Sequence, residues 1–262
     1  MINKDKKPLV LAMIQPEPCP GSYLNHGMKI KEIIDKSLEE AKMLYECGFD
    51  GYIIQNRNDS PVKQFAQPQH IAYMTALAKA LKDAYPSMIQ GILINWDGVA
   101  SLAVADAVGA DFVRVEHTFT GVEVGYAGIL EAQCVDICDF KKKIDTAVPV
   151  YADIQEIHYE QIGGKTVSEA ARDLVQNAFA DGIFVGGHNV EESVELCNIV
   201  RKKVGPDIPI LLSSGATLDN IQEILEVFDG VSVGTWIKDG NMRNPINPDK
   251  AKAFCKKAKG IE

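Results

Sequence analysis

The sequence predicts an α/β fold, a single-domain (β/α)8 TIM barrel over residues 1–262, and three observations carry the prediction. The first is length: 262 residues is an ordinary size for one such barrel and enough to bury a large core. The second is an alternation of eight short apolar runs with eight longer amphipathic stretches. The third is a repeated turn. Phe49-Asp50-Gly51-Tyr52, Ala110-Asp111-Phe112-Val113, Ala180-Asp181-Gly182-Ile183 and Phe228-Asp229-Gly230-Val231 precede and open every second strand, as a barrel of repeated quarters would show. The four aspartates read as turn or capping residues of the bottom face, where side chains serve stability.

The elements follow in order. Leu9 to Ile14 is the first strand; a helix from about Met28 carries the stripe Ile30, Ile33, Ile34, Leu38, Ala41 and Leu44, and Gly48 ends it. Gly51 to Gln55 is the second strand, and Gln69 to Ala84 a helix that Pro86 stops. Met88 to Asn95 is the third strand, followed by an alanine-rich helix from Val99 to Val108 that ends at Gly109. The fourth pair is Phe112 to Glu116 with a helix from Ile129 to about Asp145; the fifth is Val148 to Ile154 with Val167 to Phe179. Ile183 to Gly187 pairs with Glu192 to Val204, Ile208 to Ser213 with Leu218 to Val227, and Val231 to Thr235 with Pro248 to Ala258. An open doubly wound sheet also alternates strands and helices. Its first turn would carry G-x-G-x-x-G, where this chain has Pro16, Pro18, Pro20 and Gly21.

A net charge of -9 argues against a general nucleic-acid surface, which needs clustered Lys and Arg. It still allows a phosphorylated small-molecule ligand, because a few backbone amides bind one locally. No apolar run reaches the length of a membrane span, and the start, Met1-Ile2-Asn3-Lys4, lacks the apolar core of a secretory signal. A cytoplasmic protein is expected. The six cysteines form no C-x-x-C pair; Cys134 and Cys138 lie four apart without a second cluster, so reduced, mostly buried thiols are the better reading. The pattern requires no cofactor and is compatible with a homo-oligomer.

In barrels of this kind the working residues lie on the loops after the strands. The exits supply Gln15; Gln55 and Asn56; Asn95; Glu116 and His117; Asp153; Gly186-Gly187-His188; Ser213-Ser214-Gly215; and Gly234-Thr235. The seventh and eighth exits give the strongest signal. Ser213, Ser214 and Gly215 lead through Ala216 into Thr217, a good N-cap, while Gly234 and Thr235 close the last strand. Glycine at both corners lets amides approach an anion, so a phosphate is expected there; the plain alternative is that both glycines only permit tight turns.

Asp153 is the first acid–base candidate and Glu116 the second. Carboxylates on neighbouring strands can share a proton, bind a divalent metal or bracket a substrate; alternatively, one pairs with Arg114, which points to the same side of its strand as Glu116. Asn56, Asn95 and Gln55 would orient the ligand. His158 lies in a polar loop, Gln155 to Lys165, that could close over it. Lys238 could approach a phosphate, although a surface lysine is the default, and its position off a strand argues against a Schiff-base aldolase. Trp96 and Trp236 could stack on a base or sugar, or pack a loop; His117 and His188 are weaker candidates, and His70 reads as structural.

The same segments bear a resemblance. Pro16 to Ser22, Gln55-Asn56-Arg57-Asn58-Asp59-Ser60-Pro61, Phe112 to Val115 with Thr120-Gly121, Ser214-Gly215-Ala216-Thr217 with Asn220, and Val233-Gly234-Thr235 with Lys238-Asp239-Gly240 resemble motifs of the BtpA/SgcQ family of ribulose-phosphate-binding-type barrels. Three positions depart from its pattern. Gln55 stands where the family usually has Glu; Glu156 replaces a lysine before His158; and His188-Asn189-Val190 lacks the expected Thr-Gly. The resemblance implies a link to photosystem I biogenesis in phototrophs and to sugar or nucleoside metabolism elsewhere. Two readings follow: an enzyme acting on a phosphorylated sugar or nucleoside-type molecule (isomerase, lyase or nucleosidase-like), or a non-catalytic assembly or regulatory barrel.

Overall fold

The structure, a computed structural model, describes residues 8–154 and 159–261. In chain order its first elements are β1 (Leu9–Ile14), α1 (Ile30–Cys47), β2 (Gly51–Gln55), α2 (Pro68–Ala84), β3 (Ile89–Leu93), α3 (Gly98–Val108) and β4 (Phe112–Val115). A hairpin, β5 (Val122–Gly125) and β6 (Gly128–Leu130), precedes α4 (Cys134–Lys143). Then come β7 (Val150–Asp153), β8 (Glu160–Ile162), α5 (Val167–Arg172), β9 (Gly182–Val185) and α6 (Val190–Val204). The chain ends with β10 (Ile210–Leu212), α7 (Ile221–Val227), β11 (Gly230–Val233) and α8 (Pro248–Ala258).

Eight parallel strands close into a barrel in the order β1-β11-β10-β9-β7-β4-β3-β2, the fold that the alternation predicted. Strand parity sorts the side chains. Leu11, Met13, Ile53, Leu93, Phe112, Tyr151, Phe184 and Leu211 fill the interior, while Val10, Ala12, Ile54, Val113 and Ala152 pack outward on the helices. Gly91 makes room for the inner ring of Phe112, since a Cβ there would lie 2.4 Å from Phe112 Cζ. The stripe of α1 buries Ile33, Ala41 and Leu44, and Gly48 ends that helix in the left-handed region at φ 86°.

The fourfold aspartate repeat has one geometry throughout. Asp50 Oδ2 accepts the Val10 amide at 2.8 Å, and the Asp50 amide donates to the Val10 carbonyl at 3.0 Å. Asp111 does the same with Gln90, Asp181 with Val150 and Asp229 with Ile210. Each carboxylate also meets a cation from a helix or its C-terminal cap: Lys259, Lys82, Lys141 and Arg201 respectively. Each aspartate thus ties its own strand to the start of a neighbour at the end of the barrel away from the mouth.

Three expectations change. The helix read from Ile129 begins only at Cys134; Ile129 and Leu130 belong to β6, and β5, β6 and β8 make a separate antiparallel sheet in the order β6-β5-β8. Gly125-Tyr126-Ala127-Gly128 forms the hairpin turn, with Gly128 at φ 99°, and two-residue strand alternation is too short to stand out from helical periodicity. The loop from Gln155 to Lys165 is therefore partly strand, with Val122 opposite Ile162. The seventh barrel helix starts at Ile221, so Thr217 does not cap it; the Thr217 amide donates to Asn220 Oδ1 at 2.7 Å, and Asn220 Nδ2 holds the Gly215 carbonyl at 2.9 Å.

Candidate active site

Above the inner ring layer, the same strand parity aims polar groups at the mouth. Arg114 follows Phe112 inward on β4, its guanidinium carbon 4.5 Å from the centre of the Phe184 ring. Its Nη2 donates to Asp153 Oδ2 at 2.8 Å, and its Nε lies 3.2 Å from the same oxygen. Glu116 Oε1 stands 3.8 Å from Arg114 Nη2 on the other side. Gln55 Nε2 donates to Glu116 Oε2 at 2.9 Å, and Gln55 Oε1 accepts from Gln15 Nε2 at 3.2 Å. A row of amides and carboxylates therefore crosses the floor of the mouth from β1 to β7.

The floor decides between the two carboxylates. The Asp153 side chain is 1% exposed and committed to the guanidinium, whereas that of Glu116 is 19% exposed. A cation site between Asp153 and Glu116 does not fit, because Arg114 already puts a positive charge there. Arg114, expected to pair with one of the two carboxylates, is both Asp153's partner and part of the cavity wall.

That cavity, about 500 Å³, extends from Gln55, Arg114 and Glu116 to Ser213, Ser214, Gly215, Gly234 and Thr235. The structure thus gathers the two expected glycine corners in one wall. Gly215 adopts φ 87°, and a Cβ on Gly234 would press to 3.3 Å from Met13. Lys238 is a correction: it is 1% exposed, with Nζ 4.0 Å from Glu40 Oε1, neither on the surface nor at the mouth. Burial pushes its amine down and the Glu40 carboxyl up from their ordinary values. Besides Arg114, Arg57 and Lys250 bring positive charge to the cavity, the latter 2.9 Å from Asp239 and over the Trp236 ring. Arg57 lies within the Gln55–Pro61 segment that resembles the family motif, and Lys250 has no sequence signal beyond its place in the last helix.

Asn56 and Asn95 meet each other: Asn95 Nδ2 donates to the Asn56 carbonyl at 3.1 Å, and both line a neighbouring cavity between the second and third exits. Asn56 Nδ2 is taken by Asp59 at 2.9 Å. Asp59 in turn accepts from the Cys19 amide at 2.6 Å and from Ser22 Oγ at 2.7 Å, so it joins the proline-rich first loop to the second. His158 lies outside the described residues. His117, a weaker candidate by sequence, is buried with its Nδ1 2.6 Å from Glu123 Oε2, a partner supplied by β5.

A profile of the BtpA family matches residues 5–260. The chain belongs to the BtpA family. An uncharacterized protein of Thermococcus kodakarensis is 31% identical over 258 residues, covering 98% of this chain and 97% of that protein. Photosystem I biogenesis protein BtpA of Synechocystis is 27% identical over 248 residues, covering 94% and 86%. Among solved structures, N-(5'-phosphoribosyl)anthranilate isomerase from Pyrococcus furiosus superposes with a TM-score of 0.57 at 15% identity, covering 97% of this chain and 99% of that one. At that identity the likeness shows the shared barrel. Among the described residues of this BtpA-family chain, no helix is long and apolar enough to cross a membrane.

Proposed function

We propose that this BtpA-family barrel is an enzyme acting on a phosphorylated sugar or nucleoside-type small molecule by isomerase, lyase or nucleosidase-like chemistry. The observation that carries the reading is the continuous cavity from the glycine corners to the Arg114–Glu116 floor. Because the Thr217 amide is spent on Asn220, the amides of Ser214, Gly215 and Ala216, with Gly234 and Thr235 opposite, are the donors offered to phosphate. Arg57 and Lys250 add charge from the rim.

Glu116 is the proton-transfer group in this proposal, since it combines access to the cavity with a fixed position. Asp153 holds the guanidinium that in turn faces Glu116, a positioning role. A thermal-shift series with ribose 5-phosphate and other sugar phosphates tests the phosphate site. Wild type should gain several degrees, and Ser214→Asp and Gly234→Asp should lose that gain while remaining folded. A folded wild type that no sugar phosphate shifts would refute the reading.

A second reading, a non-catalytic assembly barrel, draws on the outer face of the three-stranded sheet. Val122, Val124, Ile129 and Ile162 share that face by register, and Val124, Ile129 and Ile162 are exposed. The printed role of the Synechocystis relative points the same way.

A further inference from the structure

The mouth has a second chamber, about 320 Å³, which shares Gln55, Arg57 and Glu116 with the phosphate-end cavity. Its wall is aromatic. Trp96 follows β3, His117 follows β4, Tyr126 sits in the β5–β6 turn and Tyr159 precedes β8. Ring centres lie 5.1 Å apart for Trp96 and Tyr126, 5.8 Å for Trp96 and Tyr159, and 4.4 Å for His117 and Tyr159.

Four segments converge here although the barrel closes without them. Gly125 shows how closely they fit, because a Cβ there would fall 1.4 Å from Cε1 of Tyr159. Tyr126 remains 59% exposed, so part of the aromatic wall is open to solvent. Arg57, Ser60 and Arg243 supply a polar edge to the same chamber.

We infer that this chamber is a subsite for a planar heteroaromatic ring carried by the phosphorylated sugar, which makes the ligand a nucleoside 5'-monophosphate or a close N-ribosyl phosphate analogue. The inference rests on the phosphate site proposed above. In the barrel order β3 and β4 lie directly opposite β10 and β11, so the aromatic wall faces the glycine corners across the mouth. Strand spacing and tilt make an eight-stranded barrel about 15 Å across, a span that ribose, phosphate and a base can bridge. Gln55 and Glu116, shared by both chambers, would then lie under the sugar, where amide and carboxylate match its hydroxyls. A pentose phosphate alone has no π face for the rings. Stacking one base on an aromatic side chain is worth about ten- to a hundredfold in affinity.

The chain has two tryptophans, one in each chamber, and they make the test. Trp236→Phe leaves Trp96 as the fluorophore of the ring chamber, and Trp96→Phe leaves Trp236 at the phosphate end. Each variant is titrated with ribose 5-phosphate and with adenosine, guanosine, cytidine and uridine 5'-monophosphates. At least one nucleotide should bind tenfold or more tightly than ribose 5-phosphate and quench Trp96. Tyr126→Ala, at an exposed position, should remove that advantage and leave ribose 5-phosphate affinity within twofold. If ribose 5-phosphate binds as tightly as every nucleotide and Trp96 stays silent, the ring subsite is wrong and the phosphate site stands. If none of these compounds binds, both fall.

Discussion

At the scale of single residues, Lys238 shows how a charge can be spent inside the protein. Its amine and the Glu40 carboxyl lie 4.0 Å apart, and burial disfavours the charged form of each. Lys238→Met should lower stability by about 1–3 kcal/mol, less than for a fully buried pair because Glu40 keeps partial contact with water. Glu40's raised pKa sets the sign: its contribution is favourable below the ordinary value of 4.5 and is lost as pH rises through the folded value. Without the lysine that value rises further, so the cost of Lys238→Met should be larger at pH 8 than at pH 5 in chemical denaturation. Ribose 5-phosphate affinity should stay within twofold; a large loss would return Lys238 to the phosphate site.

The cysteines make a second residue-scale case. Burial pushes the Cys197 thiol up to about 12 and Cys255 to about 11, and Cys19, beside Asp59, is raised further. At pH 8 each is almost wholly protonated as well as enclosed. Thiol reagents should label these three only on unfolding, as peptide mass mapping with and without denaturant would show. Rapid native labelling of Cys19 would contradict its place under Asp59.

At the scale of elements, the four aspartate clamps act one strand at a time. Removing a carboxylate leaves a strand amide and a helix cation without their partner. Asp229→Ala should therefore cost about 1–3 kcal/mol. In a barrel of this size that lowers the melting temperature by several degrees. Ligand affinity should not change, since the clamp lies at the opposite end from the mouth. This role was legible in sequence because Asp, a short turn and an apolar run recur at the same spacing. The β5–β6 hairpin was not legible: its strands are four and three residues long, and Ile129 and Leu130 read equally well as the start of the helix. What fixes them as strands is pairing: Val124 with Ile129 across the turn, and Val122 with Ile162 from a distant segment, a partner that no local pattern records.

At the scale of the whole molecule, closure depends on β1, which pairs with both β2 and β11. Deleting the chain through Ile14 would open two sheet edges and take Leu11 and Met13 out of the interior. Such a truncation should show no cooperative unfolding transition by circular dichroism, while full-length protein shows one. Retention of a sharp transition would mean that closure contributes little to stability.

The barrel, its eight strand–helix pairs and the glycine corners after the last two strands are legible in the chain alone, because they follow from local periodicity and turn chemistry. The chain alone also brings Arg114, Glu116 and Asp153 into view as a group. How they divide is set by folding: the guanidinium turns to Asp153 and leaves Glu116 at the cavity, a choice made by distances between residues 39 apart in the chain. Likewise, only folding brought Trp96, His117, Tyr126 and Tyr159 to one wall and drew Lys238 inward to Glu40. Side-chain partners across a closed barrel are set by strand order and stagger, and neither is written in the spacing of residues along the chain.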